Sequence, residues 1–300
     1  MPKAAQPPQT QKNATAVRGK PDPLAGLLRT GQSVSLLKHL HILTADGTLN
    51  QDTRRKLKQV NHLLQFIEPL IASLRAAGTA PCVVDHGAGK SYLGFLLYDA
   101  LFQSQAGAVW GIENRAELVQ SSLVLAQNLG FERMGFVHGD TAQALTHLDL
   151  PAQVHLVTAL HACNTATDDA IAFGLGKAAQ YMVLVPCCQA ELAGFLRQNP
   201  AAAKTSALGE LWRRPLHTRE FGSQLTNVLR CLQLEAAGYD VTVTELVGWE
   251  HSMKNELILA KKTGDARSKT ALAARAKLLA VLDELHLNGL QSRFLPLGAV

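Results

Sequence analysis

From Asp52 onward, Leu57, Val60, Leu64, Ile67, Ile71 and Leu74 recur every three or four residues, opposite Arg54, Arg55, Lys58, Gln59 and Asn61. This spacing predicts an amphipathic helix, with a kink or restart at Pro69. The period then changes. Cys82-Val83-Val84 is a short apolar run that reads as a buried strand, Gly87 and Gly89 make a tight turn, and Tyr92, Leu93, Phe95, Leu96, Tyr98 and Leu101 resume a helical spacing. Further strands are expected at Ala108–Ile112, Gly135–His138, Val154–Leu160 and Tyr181–Val185, with a helix reaching Gly130 between the first two. A helix from Thr218 to Ala237, closed by Gly238, leads to Val241–Val247 and Glu256–Ala260, which fit an antiparallel hairpin at a sheet edge. A C-terminal helix on Leu272, Leu279 and Leu282 completes the chain. Alternating strands and helices of this kind predict an α/β fold with a mostly parallel, seven-stranded sheet, one antiparallel edge strand and a helical N-terminal extension.

Composition narrows this picture. Three hundred residues, 47% of them hydrophobic, can bury one sizeable core. The expected organisation is a disordered basic tail at 1–22, the helical extension at 23–78, the α/β domain at 79–262, and a C-terminal helix and tail at 263–300. No apolar run is long enough to span a membrane and no secretory h-region precedes the fold, so a soluble cytoplasmic protein is expected. Cys82, Cys163, Cys187, Cys188 and Cys231 are odd in number, which fits free thiols in a reducing compartment. Residues 1–60 carry ten Lys/Arg against three Asp and residues 261–300 seven against three acids; with a net charge of +5, the middle is net acidic. Basic ends of this kind point toward a polyanionic partner.

The chemistry concentrates where strands end. A strand–glycine–helix junction aims backbone N–H groups and a helix N-terminus into one space. Gly-Ala-Gly-Lys-Ser at 87–91 has a P-loop look, but that spacing needs glycine at position 84, which is Val84. A dinucleotide fingerprint needs glycine at position 92, which is Tyr92. What is left is Asp85-x-Gly87-x-Gly89, which resembles the first motif of class I S-adenosylmethionine (SAM) methyltransferases. Glu113 ends the second strand twenty-eight residues past Asp85, where an acid can accept hydrogen bonds from both ribose hydroxyls of a nucleoside. Asp140 follows the third strand, placed to meet an adenine amino group. Asp85, Gly87, Gly89, Glu113 and Asp140 are therefore the expected cofactor residues, and no metal site is expected.

The fourth and fifth strands release His161-Ala162-Cys163-Asn164 and Pro186-Cys187-Cys188-Gln189 at their carboxyl ends. Together with Leu160 to Asp168 and Glu250 to Asn255, these motifs resemble the bacterial relatives of the methyltransferase-like 25 family, over roughly Leu36 to Lys262. Members of that group carry a Leu-His-Ala-Cys-Asp-Thr-Ala-Thr-Asp segment, a Pro-Cys-Cys-Gln turn and a Glu-His-Thr-Pro-Lys-Asn turn. Here Ala88 replaces the loop Cys, Asn164 replaces Asp, and Ser252-Met253 replaces Thr-Pro. The resemblance implies the Rossmann-like class I methyltransferase fold and SAM as cofactor.

It leaves the acceptor open. The expected activity is methyl transfer to RNA, with a protein acceptor or a catalytically silent, partner-binding SAM fold as alternatives. Candidate catalytic groups are His161, Cys187, Cys188 and His251. Methylation of cytosine C5 would need a thiolate that first adds to C6 of the ring, the role open to Cys163, Cys187 or Cys188; otherwise His161 or His251 serves as acid or base. Arg54, Arg55, Lys56 and Lys58 are the expected phosphate contacts, with Asn255 also on the substrate side.

Overall fold

The structure, a computed structural model, describes residues 27–29, 31–160, 164–186, 190–198, 207–246 and 256–295. The tail expected to be disordered at 1–22 lies outside them. A short helix α1 (Val34–His39) precedes α2 (Gln51–Ala76), whose N-terminus is capped by the Asn50 side chain accepting from the Thr53 N–H at 2.8 Å. The expected kink or restart at Pro69 does not divide α2, which is assigned as one helix of 26 residues. Pro69 removes only its own N–H from the ladder, and buried Ile67 and Ile71 hold the helix to the core on either side of it.

The α/β part alternates as its apolar runs require: β1 (Cys82–His86), α3 (Tyr92–Leu97), β2 (Ala108–Glu113), α4 (Ala116–Asn128), β3 (Met134–His138), α5 (Thr141–Thr146), β4 (Leu156–Leu160), α6 (Ala166–Gly176) and β5 (Tyr181–Val185). There follow α7 (Glu191–Gln198), α8 (Pro215–Ala236), β6 (Tyr239–Glu245), β7 (Glu256–Lys262), α9 (Lys269–Glu284) and the single turn α10 (Gln291–Phe294). The strands form one seven-stranded sheet in the order β3-β2-β1-β4-β5-β7-β6. The four pairings from β3 to β5 run parallel, and β7 is antiparallel to both β5 and β6. The antiparallel strand thus lies second from the edge, with β6 outermost.

Two apolar layers follow from the period-two alternation of β1. Val83 points into a cluster that includes Leu57, Leu63, Leu64 and Ile67 of α2 with Leu93 and Phe95 of α3. Val84 points the other way, toward Ala170, Ile171 and Phe173 of α6 and Leu234 of α8. A third cluster joins Leu192 and Leu196 of α7, Leu225 and Leu229 of α8, Leu278 and Leu282 of α9, and Phe294. The buried seam of α9 is Ala271, Ala274, Leu278 and Leu282, while Leu272 is 53% exposed. The expected seam on Leu272 and Leu279 was displaced because alanines occupy the close-packed face and register as weakly apolar in the sequence.

Because α2 shares one core with the sheet, its truncation should unsettle the whole molecule. Leu64→Ala should cost about 2–5 kcal/mol in a single urea-unfolding transition. An unchanged midpoint, or a separate early transition, would mark α2 as a detachable extension.

Candidate active site

The loop after β1 takes its shape from two glycines and one carboxylate. Gly87 (φ 69°) and Gly89 (φ 58°) occupy the left-handed region, and a Cβ at Gly87 would project into open space. The Ala88 N–H donates to the Ile112 carbonyl at 2.9 Å, and the Gly89 N–H donates to Glu113 Oε2 at 2.7 Å. Glu113 also accepts from Arg115 Nε at 2.8 Å, from the Arg115 N–H at 3.2 Å and from Arg115 Nη2 at 3.3 Å. Burial works to raise the Glu113 pKa, but these donors outweigh it and hold the carboxylate below its ordinary range. The Arg115 side chain is 57% exposed, so a ligand hydroxyl can displace it from Glu113 at small cost.

Alternation along β1 then divides the site into two clefts. His86 faces the larger, of about 610 Å³, lined also by Gly87, Glu113, Asn114, Arg115, Asp140, Thr141 and Asp169. Asp85 faces the smaller, of about 290 Å³, walled by Gly89, Lys90, Tyr92 and Leu160 and by Lys56, Gln59 and Val60 of α2. Gly87 and Arg115 border both. The five expected cofactor residues therefore converge on one junction: Glu113 and Asp140 on the larger side, Asp85 and Gly89 on the smaller, Gly87 between them. Asp140 doubles as a helix cap, its Oδ1 accepting from the Gln143 N–H at 2.9 Å while Gln143 Oε1 accepts from the Asp140 N–H at 2.9 Å.

Parallel register places Thr158 of β4 opposite Asp85, and the Thr158 hydroxyl donates to Asp85 Oδ1 at 2.9 Å. Burial nevertheless pushes the Asp85 carboxyl up to about 7, against the lowering by Thr158. His86 is driven down to about 4, mainly by burial, with its Nε2 3.1 Å from Thr141 Oγ1 and its Nδ1 lacking a hydrogen-bond partner. Both groups are uncharged near pH 6. Cys82 and Cys231 are free thiols pushed by burial to about 11 and about 12, which rules out thiolate chemistry at either near neutral pH.

The other expected site residues divide sharply. His161, Cys163, Cys187, Cys188, His251 and Asn255 lie outside the described residues. Of the basic residues on α2, Lys56 lines the smaller cleft, its Nζ 6.0 Å from the Tyr92 ring centroid. Arg54, Arg55 and Lys58 are not among the residues lining either cleft. Sequence reasoning missed His86, Arg115, Thr141 and Asp169, and it missed Arg230, which is fully buried and grips Asp168 through Nε at 2.7 Å and Nη2 at 3.0 Å. A signal for Arg230 existed: one charge interrupts the apolar run Val228-Leu229-Arg230-Cys231-Leu232. Among the described residues no cluster of three or more His, Cys, Asp or Glu could hold a metal ion, and no helix is long and apolar enough to cross a membrane.

The neutral Asp85 has a thermodynamic signature. An unfolded aspartate loses its proton near about pH 4, whereas the folded one keeps it to about 7, so the native state binds more protons in that window and stability falls as pH rises through it. Asp85→Asn removes this titration. His86 acts with the opposite sign in both proteins, so the test is the difference: from pH 5 to pH 8 in urea unfolding, Asp85→Asn should gain about 2–3 kcal/mol relative to wild type; a difference that does not change with pH would contradict the assignment.

Residues 55–194 match the family described as Methyltransferase domain. No curated protein matches the chain. Among solved structures, the chain resembles magnesium protoporphyrin IX methyltransferase from Synechocystis with bound SAH (17% identity, TM-score 0.42), covering 77% of this chain and 96% of that one. It also resembles a putative caffeoyl-CoA O-methyltransferase from Staphylococcus aureus (11% identity, TM-score 0.44), covering 78% and 94%. A third resemblance is to Aeropyrum pernix fibrillarin in complex with S-adenosyl-L-methionine (13% identity, TM-score 0.38), covering 60% and 66%. Residues 55–194 thus match a methyltransferase domain, and within that span lie the glycine loop and the acids at the ends of the parallel strands.

Proposed function

We propose that the protein transfers a methyl group from SAM to RNA, as a soluble cytoplasmic enzyme related to the methyltransferase-like 25 group. The observation that carries the acceptor reading is the smaller cleft, where Lys56, Lys90 and Arg115 surround an opening that also exposes Tyr92 and Leu160. Three cations around an aromatic and an apolar wall favour an acceptor that brings both phosphate and a planar base. The net-acidic middle of the chain would otherwise repel a phosphate backbone.

The donor residues fit the cofactor. Glu113 is a buried carboxylate whose exposed partner Arg115 can yield to hydroxyl donors, and Asp85 is a buried carboxyl that a cation bound beside it would drive to ionise. Gly87 leaves the space a side chain would fill. SAM supplies an electrophilic methyl carried on a sulfonium. The protein's part is to orient that group, exclude water and accept the acceptor's proton. His161 or His251 is the proposed acid or base for the last task, Cys187 or Cys188 the proposed nucleophile toward C6 of a cytosine, and Asn255 lies on the substrate side; the motif resemblance supports them.

Filter binding of a bulk RNA fragment pool across a salt series tests the acceptor class. With three to four phosphates neutralised, log affinity should fall with log salt at a slope of roughly −2 to −4. A Lys56→Ala/Lys90→Ala variant should flatten the slope by about 1–2. An Arg54→Ala/Arg55→Ala/Lys58→Ala variant should bind RNA more weakly yet still transfer methyl groups from SAM to the RNA it binds. Undetectable or salt-insensitive RNA binding by the wild type would contradict this proposal and favour a protein acceptor.

A further inference from the structure

The end of the sheet away from the glycine loop carries a cavity of its own. At the amino ends of β4 and β5 and the carboxyl end of β7, a space of about 570 Å³ is lined by Gln153 and His155 on the approach to β4, Lys177 in the turn after α6, Gln180 before β5 and Lys262 at the end of β7. At a rise of about 3.3 Å per residue, the run from His155 to Leu160 of the smaller cleft spans about 16 Å. The two sites therefore lie at opposite ends of the parallel strands.

One donor in the cavity is fixed from behind. His155 is 8% exposed, and its Nδ1 accepts from the N–H of Cys82, the first residue of β1, at 3.0 Å. A ring nitrogen that accepts carries no proton, so the proton sits on Nε2, which donates to no described residue. Burial lowers the His155 pKa, which makes the ring a neutral donor at neutral pH.

Two cations stand beside it. Among the described residues neither Lys177 nor Lys262 has an acidic partner, and no Asp or Glu lines the space. Lys177 follows the carboxyl end of α6, but the carbonyls of Phe173, Gly174 and Leu175 already accept from the N–H groups of Lys177, Ala179 and Ala178. Its ammonium is left over. The frame around these groups is held by the backbone: the Lys262 N–H donates to the Gln180 carbonyl at 2.9 Å, and the Tyr239 hydroxyl donates to the Ala179 carbonyl at 2.6 Å. Two ammonium groups that share a cavity repel each other, and an anion between them reverses the sign of that interaction. No aromatic ring lines the space, so nothing stacks a base and recognition falls on the charged group.

We propose that this cavity is a second ligand site, which takes a phosphate group between Lys177, Lys262 and the His155 Nε2–H, with Gln153 and Gln180 at its exposed rim. The site is independent of the methyl-transfer reading. A free phosphate, a small phosphate monoester and an RNA backbone all present the chemistry it recognises.

The test uses the full chain as wild type, Lys177→Gln/Lys262→Gln, His155→Asn and Lys56→Ala/Lys90→Ala, with ionic strength held constant by KCl. Calorimetric titration of inorganic phosphate or ribose 5-phosphate into wild type should give saturable binding with a Kd of about 1 mM or below. Lys177→Gln/Lys262→Gln should weaken it about ten-fold or more. Asparagine at position 155 keeps an acceptor for the Cys82 N–H and removes the Nε2–H, so His155→Asn should weaken it about three- to ten-fold; should that variant not fold, the exposed lysine pair decides alone. On adding phosphate, hydrogen exchange should slow in residues 152–155 and 177–181 of the wild type. An RNA fragment titrated into wild type and Lys177→Gln/Lys262→Gln then separates the sources. Affinity lost in the variant assigns the site to RNA backbone, and affinity retained while phosphate binding is lost assigns it to a small phosphate. Absence of saturable phosphate and ribose 5-phosphate binding would overturn the proposal. So would binding that survives in Lys177→Gln/Lys262→Gln and disappears in Lys56→Ala/Lys90→Ala, which places the anion in the smaller cleft.

Discussion

Glu113 sets the position of the glycine loop. Its two oxygens accept from the Gly89 N–H, from the Arg115 N–H and twice from the Arg115 guanidinium, so one buried carboxylate ties the loop after β1 to the end of β2. A carboxylate offers about four lone-pair sites, and here all are used. The consequence is a loop held open at Gly87 by the same residue that we propose accepts the hydroxyls of a nucleoside. Cofactor and loop compete for, and are organised by, the same oxygens. The partner that can leave is the exposed one, Arg115, while the Gly89 N–H is part of the backbone and stays.

The two sides of the sheet then divide the labour. Successive residues of β1 point to opposite faces, so Asp85 and His86, adjacent in sequence, serve different clefts. Burial leaves both uncharged near pH 6, for opposite reasons: desolvation raises an acid and lowers a base. The site is therefore almost without buried charge on β1 itself, and its fixed charges come from Glu113 and from the cations of α2, the glycine loop and Arg115. On the far side, charge is buried deliberately. Arg230 and Arg293 place two guanidinium groups against Asp168, and the three segments leaving β4, leaving β5 and entering β7 share that cluster.

What the sequence disclosed, and what it did not, follows from the range of each signal. Strand ends are local: a short apolar run closed by Asp85, Glu113 or Asp140 is visible within ten residues, and right-handed crossovers between parallel strands then bring those ends together. The antiparallel hairpin was legible for the same reason. Its place was less so, because nothing local says that β7 slides between β5 and β6. Lys56 could be seen as basic but not as the cleft-facing member of its cluster. That depends on the rotation of α2 about the Leu57–Leu64 seam, and a turn of one residue separates Lys56 from Arg55. The apolar run around Arg230 hinted at its burial, but the partners of Arg230 and Arg293 were beyond reach. The two arginines meet Asp168 from 62 and 125 residues away, and an arginine in a helix reads by default as solvated surface. The seam of α9 was misplaced by alanines, which pack closely yet barely register in an apolar pattern.

The reading of the junction between Gly87, Glu113 and Asp85 as a SAM site is tested most directly by calorimetric titration of SAM into wild type and Glu113→Ala at pH 7.5. Saturable one-to-one binding by the wild type is expected. Loss of a charge-assisted acceptor worth roughly 1.5–3 kcal/mol should weaken it about ten- to a hundred-fold in the variant, with the unfolding transition still cooperative. No heat of SAM binding to the wild type, or equal affinity in a folded Glu113→Ala, would contradict it.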